Sequence, residues 1–112
     1  MKDEEGAARA HAIFDPIAAE YLTKPDVDIG PMFGSEGLRI RGKIFAFVGY
    51  RGGLVVKVPE SRADEIVAAG TAQRMVMRER EMREWLTVDR GEHESWASLI
   101  AEAFAYVDEI TP

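Results

Sequence analysis

Between residues 30 and 48 the chain reads GPMFGSEGLRIRGKIFAFV, placing Gly30, Gly34, Gly37 and Gly42 in a stretch that otherwise has strand character. Closely spaced glycines can cradle a phosphate when they open a helix, because backbone N–H groups and the positive helix end then converge on the anion. Here Gly34, Gly37 and Gly42 lead into strands. Their spacing fits neither G-x-G-x-x-G nor the Walker pattern, and Gly42-Lys43 is followed by Ile44 rather than Ser or Thr. They read as turn residues. The other side chains capable of chemistry form no better pattern. His11 and His93 lack an H-x-x-x-H partner and read as solvated residues at helix ends. Carboxylate groups such as Asp3/Glu4/Glu5 and Glu79/Glu81 stand in segments that read as wet, whereas acid–base work needs a carboxyl in an apolar cleft. Ser35, Ser61, Ser95 and Ser98 lack a G-x-S-x-G elbow, and Ser61 and Ser95 sit where helix caps belong. No catalytic residue, cofactor or metal site is expected.

RMVMREREMREW, with Met75, Met77 and Met82, has the composition of an adaptable recognition surface, but core filling beneath a sheet is the simpler reading. Arg74, Arg78, Arg80 and Arg83 are interleaved there with Glu79, Glu81 and Glu84, so the local field is small. Trp85 and Trp96 read as large core residues rather than stacking platforms.

The net charge is -6 and the chain contains no cysteine. The first disfavours non-specific binding to nucleic acid, and the second excludes a disulfide scaffold, a thiolate metal site and a cysteine nucleophile. Charge is unevenly spread: Arg39, Arg41, Lys43, Arg51 and Lys57 fall between 37 and 58 without an acid among them. No apolar run approaches the ~20 residues of a membrane span, and the acidic start MKDEEGAARAHAIF does not resemble a signal peptide. A cytoplasmic location is expected. With 112 residues the chain makes one domain and needs no metal or disulfide to fold.

The elements that must carry these residues follow from periodicity. Glu5 to Leu22 has a helical pattern, with Phe14, Ile17, Ala18, Tyr21 and Leu22 on one face. Pro16 either kinks this helix or starts a second one capped by Asp15. KPDVDIGP reads as a break, and three strands follow: Leu38–Ile40, Ile44–Tyr50 and Leu54–Val58. Two-residue turns at Arg41-Gly42 and Arg51-Gly52 would set Ile40 opposite Lys43, Leu38 opposite Phe45, Phe47 opposite Val56 and Phe45 opposite Val58. Leu38, Ile40, Phe45, Phe47, Val56 and Val58 would then face the helices. Ile44, Ala46, Val48 and Val55 would lie on the other face, rimmed by Arg39, Arg41 and Lys57. Pro59 ends the third strand. A helix capped by Glu60 or Ser61 and closed by Gly70 comes next, then strands at QRMVM and EWLTV, then a helix from about Glu92 to Ile110. That last helix repeats Trp96, Leu99, Ile100, Ala103, Phe104 and Val107 on one face. The expected fold is an α+β two-layer sandwich, α-β-β-β-α-β-β-α, with a mainly antiparallel five-stranded sheet.

GPMFGSEGLRIRGKIFAFV, GLVVKVPESRADEIVAAG, MREWLTV and SWASLIAEAFAYV together resemble the N-terminal domain of the TfoX (Sxy) competence regulators and their stand-alone relatives, from about Phe14 to Val107. The resemblance rests on Met32-Phe33-Gly34, Gly42-Lys43 with Phe45, Lys57-Val58-Pro59, Gly70, Met82 followed by Trp85, and Trp96 before an alanine-rich helix. It implies the same order of elements and an architecture related to type III secretion chaperones and YjbR-like domains. Residues 1–112 would form a single such domain, with 1–13 as a frayed extension and no enzymatic activity. Two features depart from the pattern: MVMREREM lacks the usual Gly and Pro, and Pro16 within the first helix is unusual; 112 residues would also leave no room for the C-terminal helical domain of full-length regulators.

The expected function is therefore that of a non-catalytic interaction module that binds a protein partner or itself as a homodimer. Its surface would comprise Arg39, Arg41, Ile44, Ala46, Val48, Val55 and Lys57. The alternative is an accessory to transcription that touches nucleic acid weakly through Arg39, Arg41, Lys43 and Lys57. No small-molecule ligand is expected.

Overall fold

In the computed structural model, which describes residues 4–32, 35–49 and 52–112, the alanine-rich N-terminal segment forms one helix, α1 (Glu4–Tyr21). Ala10, Phe14 and Ala18 recur every fourth residue and are buried, with Ile13, Ile17 and Tyr21 packed beside them. Pro16 lies inside α1, so no second helix begins there. Asp15, weighed as its cap, instead pairs with His11 Nδ1 at 2.8 Å.

The chain continues through β1 (Val27–Met32), β2 (Ser35–Ile40), β3 (Lys43–Val48), β4 (Leu54–Lys57), α2 (Glu60–Ala68), β5 (Gln73–Met77), β6 (Arg80–Val88), a 3-10 helix (Arg90–Ser95) and α3 (Trp96–Ile110). The six strands make one open antiparallel sheet in the order β1-β2-β3-β4-β6-β5. The α+β class is as expected, but the sheet has one strand more than the expected five. The extra strand, β1, lies in the segment read as a break, where Gly30 and Pro31 hid the alternation of Val27 and Ile29. An edge strand tolerates such residues because one of its sides makes no ladder bonds.

The Arg41-Gly42 turn forms as expected, with both residues at positive φ (47° and 83°) and Ile40 opposite Lys43. Beyond it the register departs from expectation twice. A bulge inserts Phe45, so that Arg39 faces Ile44 while Leu38 faces Ala46 rather than Phe45. After β3 the ladder closes on Gly49 and Gly53, with Gly49 N–H donating to Gly53 O at 2.8 Å. This leaves three residues in the loop instead of two. Gly52 N–H bonds Gly49 O at 2.9 Å, and Gly52 takes φ 84°, where glycine is favoured. Phe47 consequently faces Val55, and Val56 faces Ala46.

A one-residue slip exchanges the two faces of a strand. Ala46 and Val48, expected on the open face, point into the helix-covered core, and Phe47 takes their place outside. Phe45 stays in the core because the bulge places it on the same side as Ala46; its ring meets Tyr21 and Phe104 at 5.8 and 5.4 Å.

All three helices cover that one face. α3 packs over β3 and β4, α1 over β3, and α2 against β6 and β5. Trp96, Leu99, Ile100, Ala103 and Val107 of α3 form its buried stripe, as the periodicity predicts. Phe104 sits at the margin of that stripe, against Tyr21. Trp96 Nε1 donates to Asp89 O at 3.2 Å, which fixes the 3-10 turn ahead of α3. Neither Glu60 nor Ser61 caps α2, whose N-cap position is Pro59, and Ser95 makes no side-chain cap bond for α3. Gly70 closes α2 at φ 81°, as expected. Arg62 of α2 grips Glu102 of α3 through Nε and a second nitrogen, at 2.6 and 3.1 Å. Among the described residues no helix is long and apolar enough to cross a membrane.

Candidate interaction surfaces

The face without helices is built around Phe47 and Val55, which sit opposite each other in the ladder. Trp85 on β6 brings its ring to 6.1 Å from Phe47, and Lys57, opposite Trp85, lays its ammonium 5.8 Å from that ring and 3.8 Å from Glu84. On the β1–β2 side, Gly30 and Gly37 stand opposite each other. A Cβ on Gly30 would fall 2.2 Å from the Arg39 guanidinium carbon, and one on Gly37 would fall 3.0 Å from Ile44 Cδ1. The missing side chains leave a shallow trough in which Arg39 and Ile44 lie flat. Gly30 and Gly37 thus act as space for two neighbouring side chains rather than as a phosphate cradle. Phe33, Gly34 and Arg51, and the side chain of Met32, lie outside the described residues.

This arrangement closes the face without a second layer: Phe47 is 6% and Val55 3% exposed. Its basic rim is also largely engaged. Arg39 makes two bonds to the Asp28 carboxylate at 2.9 and 2.8 Å, which hold that carboxyl below the usual carboxylate range despite a small opposing desolvation. Arg41 does not reach the face at all. It turns to the end of α3, where it bonds Asp108 Oδ1 at 2.8 Å and the carbonyls of Asp108 and Thr111. Lys43 opens β3 as an exposed residue with no ion pair among the described residues. Of the seven expected surface residues, Arg39, Ile44, Val55 and Lys57 share the open face. Ala46 and Val48 belong to the core, and Arg41 belongs to a helix end.

The remaining residues of the sequence motif serve structure. Gly42, Pro59, Gly70 and Trp96 hold turns, helix ends and core, and Met82 is half-buried on β6.

A second surface escaped the sequence reading. Leu22 and Ile29 are 41% and 42% exposed, among the few large apolar residues so open to water. Both line a cleft of about 300 Å³ between α1 and the β1–β2 edge, with Phe14, Ala18 and Leu38 also against it. The His11–Asp15 pair and Glu36 supply its polar groups. Helical spacing had assigned Leu22 to the buried stripe, but it follows the last residue of α1, where the chain leaves the core. Ile29 was hidden with β1 itself.

A family model described as YjbR matches residues 22–106, about three-quarters of the chain. The chain belongs to the YjbR family. The match spans β1 to α3 and so takes in every strand of the sheet. It overturns the TfoX resemblance, because YjbR is a different family. Any competence role implied by TfoX falls with it. No match to this YjbR chain was found among curated proteins or among solved structures.

Proposed function

We propose that this YjbR chain is a non-catalytic module that acts by binding protein, with the cleft between α1 and β1 as its contact surface. The observation that carries the reading is the placement of Leu22 and Ile29 side by side in water at an open sheet edge. Exposed neighbouring aliphatics beside unpaired backbone are costly in isolation and are relieved by a partner. The open face, by contrast, is already sealed by Arg39, Ile44, Lys57 and Trp85.

A second reading has one observation in its favour. Trp85, half-buried on the open sheet face beside the Lys57 ammonium, offers an aromatic ring and a cation, groups that can stack against a base of single-stranded nucleic acid. The engagement of Arg39 and Lys57 with carboxylates, and the net charge of -6, weigh against it.

A photo-reactive phenylalanine analogue placed at Leu22, and separately at Thr87 on the open face, separates the two in intact cells. A discrete polypeptide adduct at position 22 that Ile29→Lys abolishes supports the protein reading. Nucleic-acid adducts at position 87, with none at 22, would overturn it in favour of the second.

A further inference from the structure

The edge beside the cleft offers backbone as well as side chains. Arg41 N–H donates to Asp26 O at 2.9 Å, and bonded pairs alternate along an antiparallel ladder. Asp28 opposite Arg39 and Gly30 opposite Gly37 therefore turn their backbone groups toward β2. Val27, Ile29 and Pro31 turn theirs outward. β1 is one edge of the sheet, β5 being the other, and among the described residues nothing bonds these outward groups. Pro31 has no N–H, so the outward donors are those of Val27 and Ile29.

The Ile29 side chain lies on the helix side of the sheet, in the cleft. The walls there carry the carboxylates of Glu36 and of Asp15, one oxygen of which is engaged by His11 Nδ1 at 2.8 Å, and neither Lys nor Arg. We infer that β1 accepts an extended peptide segment as a short added strand, with an apolar guest side chain against Leu22 and Ile29 and a Lys or Arg at an alternate position facing Asp15 and Glu36. Strand addition of this kind takes affinity from backbone bonds and selectivity from alternate side chains. The inference rests on the cleft being a protein-contact surface and adds the chemistry of the partner. A second copy of the chain is the poorer guest. Antiparallel self-pairing centred on Ile29 sets Val27 opposite Pro31 of the other copy, which cannot return a bond, and brings like-charged walls together.

The test uses the full chain, immobilised, and a synthetic pool of heptapeptides Thr-X-Thr-X-Thr-X-Thr, with X drawn from Val, Leu, Phe, Lys, Arg and Glu. Enriched peptides are expected to combine an apolar residue with Lys or Arg, to lack Glu, and to slow hydrogen exchange at the amides of Val27 and Ile29. Ile29→Pro removes one outward donor without touching the β1–β2 ladder and should weaken binding about 3- to 10-fold. Asp15→Asn combined with Glu36→Gln should erase the preference for Lys and Arg while leaving apolar selection in place. Enrichment no better than with Ile29→Pro, or equal enrichment of Glu, overturns the inference. So does self-association that Ile29→Pro abolishes, which would give the edge to a second copy. If position 22 cross-links a polypeptide while the pool yields nothing, the partner presents a folded surface and only this inference falls; if both fail, the proposed function falls with it.

Discussion

Arg41, in the turn between β2 and β3, donates to both the carbonyl and the carboxylate of Asp108, at 2.9 and 2.8 Å, and so ties a hairpin to the end of a helix 67 residues later in the chain. Two more bonds, to Thr111 O at 2.7 Å and Pro112 O at 3.2 Å, complete a clamp on carbonyls at and beyond the last turn of α3.

Arg41→Asn separates the clamp from the turn. Asn-Gly is a favoured pair for a turn with two positive φ values, so the hairpin should persist while α3 frays. We expect the loss of the clamp, about 1 kcal/mol, to be largely offset in urea unfolding by the better fit of Asn to φ 47°, so the amides of α3 carry the readout. Faster amide exchange confined to the last turn of α3 should accompany it. An unchanged α3 would mean that the clamp contributes nothing.

The β5–β6 turn is strained by its sequence. Arg78 and Glu79 take φ 54° and 65°, a left-handed conformation that favours Asn and Gly. Arg78→Asn combined with Glu79→Gly should stabilise the protein by about 1 to 2 kcal/mol. The urea midpoint checks it; a lower midpoint would show that the two side chains hold contacts worth more than the strain.

Tyr106 donates a short hydrogen bond to Glu84, and this bond, with smaller desolvation and charge effects, raises the phenol from 10.0 to about 12. A raised folded value means that the neutral phenol is favoured by folding. The associated stability is fully present below pH 10 and is lost as pH rises through about 12. Tyrosinate absorbance should therefore show a late-ionising component that Tyr106→Phe removes. If that variant leaves the alkaline titration unchanged, the bond does not persist in solution.

Gly42 and Gly52 make a matched comparison, with φ 83° and 84°. A Cβ at Gly42 meets nothing within 4 Å, whereas one at Gly52 would fall 2.7 Å from Gly6 O and 2.6 Å from an Arg90 nitrogen. Gly42→Ala should cost about 1 kcal/mol for backbone strain alone. Gly52→Ala adds a collision with the backbone of α1 and should cost roughly 3 kcal/mol in sum. Equal unfolding midpoints for the two variants would contradict this.

The sequence carried the helices and the class of fold because Trp96 to Val107 and Ala10 to Ala18 repeat at helical spacing. It did not carry the faces of the sheet. Ile44 to Val48 is apolar at every position, so either phase of a strand looks equally good, and neither the bulge at Phe45 nor the third loop residue after Gly49 leaves a mark in composition. The cleft was illegible for a different reason. Leu22 and Ile29 are ordinary core types, and only the end of α1 and the edge position of β1 put them in water.

Pro31 sets a limit on what that edge can become. Open strands invite unbounded stacking of identical chains, the route to fibres. An edge with outward donors at Val27 and Ile29, followed by a residue that has none, breaks the ladder after a few bonds. It offers a docking place too short to template its own repetition along β1.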